Sequence, residues 1–482
     1  MSKFSDQLNR SVKLSGKSKN QIIDESRINR SSFFQFLNGK RMPTKEHLNA
    51  ILATLQLTPG EEEHLRRLYE IAEIGENIYE SRQGCAECLE DLALLTEQNR
   101  RPIHEFVGEA VHSVSRAPIL GENRVYQELC HLAQAEMLKP EPQIDLFLPR
   151  KPNEFIKYLK SFMQNNTNKK IRMRQVIQFS LNDEEKTKDI LKFFNSLIFL
   201  MATSGDSYEA YYYYSNANMN DAVGVLYPYC VMTSGGAMLL SAHMDRALFS
   251  AREAILVACQ EQFEEAVSRA KPFLEAAADL DEFLSTRGAQ LSIRPEAGYQ
   301  YFSVPCLGNY LPEKAINFYR TPALTPLIDL FQNRIRQDQG QSYVSFCMAE
   351  GILEFAQTGI FPEFPVELLP PIAPKARRLI LEEMLYRPIE NKPIYLLDSS
   401  KVKASNEFIF MMVPKERVVI QRRQEHGMRS YVFHEKNLIN AFTDFFEHLK
   451  NSDAVLPRRD LNQVLLKGIE ITKALEEQSM SH

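Results

Sequence analysis

The sequence predicts a multidomain fold, a small all-α N-terminal domain in front of a large α/β region, and three observations predict it. Apolar residues recur every three or four positions through residues 1–60. From Gly121 onward, helical periodicity alternates with short β-type runs. A chain of 482 residues also exceeds what one hydrophobic core serves. With 44% hydrophobic and 25% charged residues, 19 Gly and 24 Pro, the composition excludes disordered and low-complexity classes. The densest apolar run, around Leu197–Ala202, is too short to span a bilayer, and no apolar leader follows Met1, so no membrane partner and a cytoplasmic location are expected. Seven cysteines, odd in number and mostly within apolar segments, read as reduced core thiols.

The N-terminal elements follow from capping and periodicity. Phe4, Leu8 and Val12 give a first helix one apolar face, and Gly16 stops it. Ser18 caps a short second helix over 19–25, with Ile22 and Ile23 inward. Ile28 fills a tight four-residue turn. Asn29 caps a third helix over 30–37, with Phe33, Phe36 and Leu37 inward, and Asn38-Gly39 ends it. Pro43-Thr44 introduces a fourth helix with Leu48, Ile51, Leu52 and Leu55 at core spacing, and Thr58-Pro59 starts a fifth that runs to Gly75.

Helical character then continues to about Leu95, and 102–118 is a mixed connector. Beyond it the chain reads as helix 123–138, strand 144–148, helix 154–163, strand 171–179, helix 184–201 and strand 208–214. A hairpin of 229–232 and 238–240 about Gly235-Gly236 follows, then a long helix from Met244. Near the end, 408–413 and 418–420 form a second hairpin, 437–450 an amphipathic helix and 461–475 a terminal helix. Phe445 lies ten residues past Glu435 as Phe263 lies ten past Glu253, which leaves two readings open, two related α/β lobes or chance similarity. The expected divisions are 1–75, 76–120 as a helical connector, 121–288 as one α/β lobe and 289–482 as a second.

Charge is unevenly placed. Residues 1–60 carry ten Lys or Arg against four acids, a balance of +6, whereas the whole chain is at −5 and the remainder therefore at −11. A basic module on an acidic body suits phosphate binding by one end, with the acidic bulk opposing nonspecific adhesion elsewhere.

The stretch SKNQIIDESRINRSSFFQFLNGKRMPTKEHLNAILATLQL, with its caps, turn, NGK and closing leucine-rich helix, resembles the Xre or lambda-repressor-like helix-turn-helix family over roughly an eighth of the chain. The resemblance implies that the third helix enters the major groove. It places Arg30, Ser31, Phe34 and Gln35 at base edges, where Arg suits guanine, Gln adenine and Ser either. It places Lys19, Asn38, Lys40 and Arg41 at phosphates, setting register. Phe34 departs from the family, which commonly has a polar residue there; it either touches a thymine methyl or packs on the following linker.

Other chemical signals are incomplete. Gly16-Lys17-Ser18 imitates the end of a phosphate loop, yet Ser11 stands where its first glycine is required and a helix precedes it. Cys85 and Cys88 have metal or redox spacing without a second pair. His434-Glu435-Lys436 is similar to the HxK of phospholipase-D-type phosphodiesterases, but Ala441 occupies the position of the aspartate, so a strand-end histidine is expected. Tyr208 and Tyr211–Tyr214 could line a pocket; a half-buried strand is favoured. No GxSxG, HExxH or GxGxxG occurs.

The expected function is therefore a transcriptional regulator without catalytic residues, metal or cofactor. It binds double-stranded operator DNA as a homodimer, with the C-terminal region pairing the copies and taking a small-molecule or protein effector. The alternatives are a partner-binding control factor of antitoxin or mobile-element type and a nucleic-acid-targeted enzyme.

Overall fold

The computed structural model describes residues 3–98, 118–148, 155, 158–159, 171–180, 186–204, 208–215, 226–273, 275–277, 298–312, 343–362, 366, 369–390, 392–424 and 427–480. Its contacts divide the chain into two compact units, Met1–Gln83 and Gly84–His482.

The first unit is helical, with α1 (Lys3–Leu14), α2 (Lys19–Ser26), α3 (Arg30–Leu37), α4 (Lys45–Leu55), α5 (Pro59–Ile74) and the start of α6 (Glu76–Gln98). Helices this short are marginal alone, so their ends are tied locally and their apolar faces converge. Ser18 and Gln21 form a capping box on α2, and Thr58 and Glu61 form another on α5. Bonds from Thr58 hold the Glu61 carboxyl below its ordinary value. Phe4, Leu8, Val12, Ile22, Ile28, Phe33, Phe36, Leu37, Ile51 and Leu65 share one core, closed by Tyr69, whose hydroxyl donates to the Pro43 carbonyl at 2.9 Å. The turn between α2 and α3 holds three residues, one fewer than the sequence suggests, because α2 continues to Ser26 and Arg27 reverses the chain at φ 56°.

The second unit contains two sheets. The first is ordered β1-β7-β6-β5-β2-β3-β4-β8, from β1 (Ile119–Leu120), β2 (Gln143–Phe147), β3 (Arg172–Ser180), β4 (Tyr208–Ser215), β5 (Tyr229–Thr233), β6 (Gly236–Leu240), β7 (Arg246–Ser250) and β8 (Lys271–Pro272). The second is ordered β9-β15-β14-β13-β10-β11-β12, from β9 (Glu275–Ala277), β10 (Gly298–Tyr301), β11 (Tyr343–Cys347), β12 (Ile394–Leu396), β13 (Phe408–Val413), β14 (Arg417–Gln424) and β15 (Gly427–Phe433). Apart from edge strand β8, the two share one plan. Three parallel strands, β2-β3-β4 or β10-β11-β12, continue into an antiparallel meander, β5-β6-β7 or β13-β14-β15, flanked by one more antiparallel strand, β1 or β9.

Helices α7 (Glu122–Met137), α8 (Lys186–Ser204), α9 (Glu253–Arg269), α10 (Ala349–Thr358), α11 (Pro374–Tyr386), α12 (Lys436–Leu449) and α13 (Arg458–Met480) cover the sheets. Alternation along each strand decides which helix meets which face. Val176, Met232 and Ala237 meet Cys259 and Phe263 of α9, whereas Met173, Ile177, Val231 and Met238 face the layer that holds α7 and α8. In the second sheet, Phe410 and Met412 face α12, whereas Ile409 and Met411 face α10, α11 and α13. Phe194 of α8 packs edge-on against Phe433 and Phe442, with centroids at 4.9 and 5.8 Å, so α8 and α12 lie between the two sheets. Burying a side chain of this size is worth about 1.5–3 kcal/mol.

Several boundaries differ from those the sequence suggests. The helix expected from Met244 begins at Glu253; the segment before it alternates and is captured as β7 by pairing with β6 and β1. The hairpin reverses at Ser234-Gly235, with Thr233 opposite Gly236. The chain leaves the first sheet after Pro272, and Glu275–Ala277, expected in the first lobe, joins the second sheet at β15. β15 adds a third strand to the hairpin of 408–420, and β10–β12, α10 and α11 occupy stretches that carried no assignment. Phe155, Tyr158 and Leu159 are helical; the rest of the helix expected over 154–163, and the connector at 102–117, lie outside the described residues.

Candidate nucleic-acid interface

The α3 face is set by its cap and its core residues. The Asn29 side chain accepts from the Ser31 backbone N–H at 2.8 Å, fixing where the helix starts. Phe33, Phe36 and Leu37 are buried. The 3.6-residue period then turns positions 30, 31, 34 and 35 outward together. Arg30, Ser31 and Gln35 are exposed and Phe34 is half-buried. The four residues expected at base edges thus share one solvent face.

The expected phosphate-contacting residues flank it. Lys19 opens α2 and is exposed. Asn38 ends α3, its N–H bonding the Phe34 carbonyl, and Gly39 follows at φ 65°. The Lys40 N–H returns to the Gln35 carbonyl at 2.9 Å and that of Arg41 to the same oxygen at 3.4 Å. Lys40 and Arg41 are thereby tied to the end of α3 while their side chains stay exposed. Three other cations of this unit are engaged, Lys17 with Glu25 at 2.6 Å, Lys3 with Glu76 at 3.4 Å and Arg66 with Glu62 at 2.7 Å. Among the described residues, Lys19, Arg30, Lys40 and Arg41 take no carboxylate partner. Four cations around one helix face, none neutralised by a neighbour, can accept phosphates or acceptor-rich base edges.

Phe34 is held from two sides. Its ring stands edge-on to the buried Phe33, centroids 6.2 Å apart, and carries Lys19 Nζ at 5.4 Å and Arg30 Cζ at 5.8 Å from its centroid. The described contacts are therefore with its own helix and α2, not with the linker that follows. Sequence reasoning missed this stack, although the i, i+4 spacing of Arg30 and Phe34 signals it.

The remaining sequence signals have local explanations. Lys17 pairs with Glu25 and Ser18 caps α2. Cys85 and Cys88 are buried in α6, where desolvation pushes both thiols well above their ordinary range. Among the described residues no group of three or more His, Cys, Asp or Glu is placed to hold a metal. His434 follows the last residue of β15 and is exposed, while the buried Glu435 caps α12, accepting from Leu438 N at 2.6 Å. The tyrosine run is strand β4: Tyr208 and Tyr212 point into the larger core, and the half-buried Tyr211 and Tyr213 pack on the opposite face with Cys259 and Phe263 of α9 and bond Glu209 and Gln178. Burial pushes the Tyr211 hydroxyl up to about 12. No described helix is long and apolar enough to cross a membrane.

No family model and no curated protein matches the chain. Among solved structures, one of TrmBL2, described as an archaeal chromatin protein with a novel mode of DNA binding, is 12% identical. It aligns over 55% of this chain and 99% of that chain with a TM-score of 0.23, a value at which the likeness carries no argument.

Proposed function

We propose that this protein is a sequence-specific DNA-binding regulator of lambda-repressor-like helix-turn-helix type, with α3 as the recognition helix. The observation that supports this most is the solvent face of α3. Arg30, Ser31, Phe34 and Gln35 lie together there, bordered by Lys19, Lys40 and Arg41, without a carboxylate to occupy the cations. Arg30 and Gln35 read guanine and adenine in the major groove; Lys19, Asn38, Lys40 and Arg41 hold phosphates and fix the register.

In this reading the α/β unit pairs two copies and receives a small-molecule or protein effector, and it carries no catalytic role. Its two sheets, with one strand plan, are two related lobes. One recognition helix covers too few base pairs for a unique site, so two copies bind half-sites about one helical turn, 10–10.5 base pairs, apart or a multiple of it.

The test is selection of duplexes from a randomised library by the full-length protein, followed by genomic footprinting. Enrichment of a palindromic motif, with few genomic sites, is the expected result. Uniform coverage without a motif overturns the reading.

A further inference from the structure

The solvent face of α3 contains one residue whose chemistry is not that of a base reader. Phe34 offers no hydrogen bond, yet it sits at the centre of the face, with one ring edge anchored on the fully buried Phe33 and both Lys19 and Arg30 within cation–π reach. Lys19 is the first residue of α2 and Arg30 the first of α3, so one ring joins the starts of both helices. Lys and Arg side chains are rotamer-rich, and ordering them on binding opposes affinity. A cation already resting on a ring has lost part of that freedom beforehand. Arg30 in particular needs a fixed plane, because its bidentate pairing with guanine is directional.

We infer that Phe34 is a positioning residue of the reading surface. Its ring pre-orders the Arg30 guanidinium for a guanine edge and the Lys19 ammonium for a neighbouring phosphate, coupling base readout to backbone register. The inference rests on the DNA-binding reading above and specifies how that site discriminates. The ligand it fits is a duplex presenting a guanine edge and a phosphate in one fixed spacing.

The test uses full-length protein and the duplex it enriches from a randomised library. The guanine read by Arg30 is the position at which Arg30→Ala no longer distinguishes guanine from adenine. Preference for guanine at that position is then measured for wild type, Phe34→Tyr, Phe34→Leu and Phe34→Met, each checked for unchanged helical circular dichroism. Tyr keeps the π face and should keep the preference. Leu and Met keep apolar contact with Phe33 but lose the face, and should lower the preference about two- to fivefold, the size of one exposed cation–π contact. A purely structural role would weaken binding to both duplexes alike and leave the ratio unmoved.

Leu and Met variants that discriminate as wild type does would overturn the inference while leaving the DNA-binding reading intact. A loss confined to a thymine, reproduced by deoxyuridine at that position, would also overturn it by making the ring itself the reader. Failure of the wild type to enrich any duplex would overturn both.

Discussion

Lys40→Ala is the substitution whose effect can be worked furthest from the geometry. Lys40 is exposed, is tethered through its N–H to the Gln35 carbonyl, and has no carboxylate partner; Lys19 and Arg41 are likewise exposed and without a carboxylate partner. If each neutralises one phosphate, the slope of log K against log salt is about −2.7 per copy, and Lys40→Ala reduces it to about −1.8. Between about 50 and 200 mM salt, wild type then loses about 40-fold in affinity per copy and the variant about 12-fold. The control is Lys17→Ala, which removes the same formal charge from a lysine held by Glu25 at 2.6 Å and should leave the slope as it was. Titrations of the enriched duplex and of random duplex at four salt concentrations supply the slopes. Lys40→Ala should weaken both duplexes by similar factors, since phosphates carry no sequence. An unchanged slope for Lys40→Ala, or an equal fall for Lys17→Ala, refutes the reasoning.

Three further outcomes are expected. Gln35→Ala should cost about 1–3 kcal/mol on the enriched duplex and little on random DNA, read in the same titrations; equal losses on both would remove Gln35 from base readout. Glu136 is buried and accepts from Lys139 Nζ at 2.7 Å, Ser234 Oγ at 2.8 Å and the Gln143 N–H at 3.0 Å; desolvation alone would raise its pKa, but these bonds together outweigh it and lower the value below its ordinary 4.5. A depressed carboxylate stabilises the fold above its unfolded-state pKa and loses that contribution as pH falls through the folded-state value, so wild type should lose more stability than Glu136→Gln on acidification below about pH 5; parallel pH profiles in urea denaturation would contradict this. Gly359 ends α10 at φ 71°, and a Cβ there would lie 2.4 Å from the Ile372 carbonyl oxygen and 2.3 Å from Arg377 Nε, so Gly359→Ala should destabilise the α/β unit by more than about 2 kcal/mol, measured by chemical denaturation.

The helical unit was legible almost residue by residue because its information is local. Ser18, Asn29, Thr44 and Thr58 each cap the helix assigned to them, and Phe4, Leu8, Ile22, Phe33, Ile51 and Leu55 bury as their spacing requires. The one aromatic that departs from the pattern, Phe34, stands out in the sequence, and its i, i+4 spacing from Arg30 signals one cation neighbour; the other, Lys19, depends on how α2 sits beside α3, which spacing along one helix does not contain. In the α/β unit, strands with alternating or wholly apolar runs, such as β3 and β13, were read, whereas β10 and β11 were not. Gln300 between Tyr299 and Tyr301, and Ser345 between Val344 and Phe346, do alternate, but over too few residues to mark a strand, and both polar residues are buried as their neighbours are. The spacing from Glu253 to Phe263 and from Glu435 to Phe445 falls on α9 and α12, the helices that each follow a three-stranded meander.

The way the two sheets stack bears on where the stack ends. The first sheet turns its α7 and α8 face toward α12 of the second, so the second sheet's far side, covered by α10 and α11, corresponds to the face the first uses for stacking. Such a front-to-back relation does not close on itself. The second sheet's apolar far side therefore needs a cap. That cap is α13: Leu461, Leu465 and Ile469 bury against α10 and α11, and at Gly468 the helices approach so closely that a Cβ would meet Leu381 Cδ1 at 3.1 Å and Ala356 Cβ at 3.5 Å. Helix α13 is therefore a cover for the face that corresponds to the first sheet's stacking face, as well as a piece of core. Removing residues 458–480 is expected to bare the apolar residues that Leu461, Leu465 and Ile469 cover and to raise concentration-dependent association, read by sedimentation.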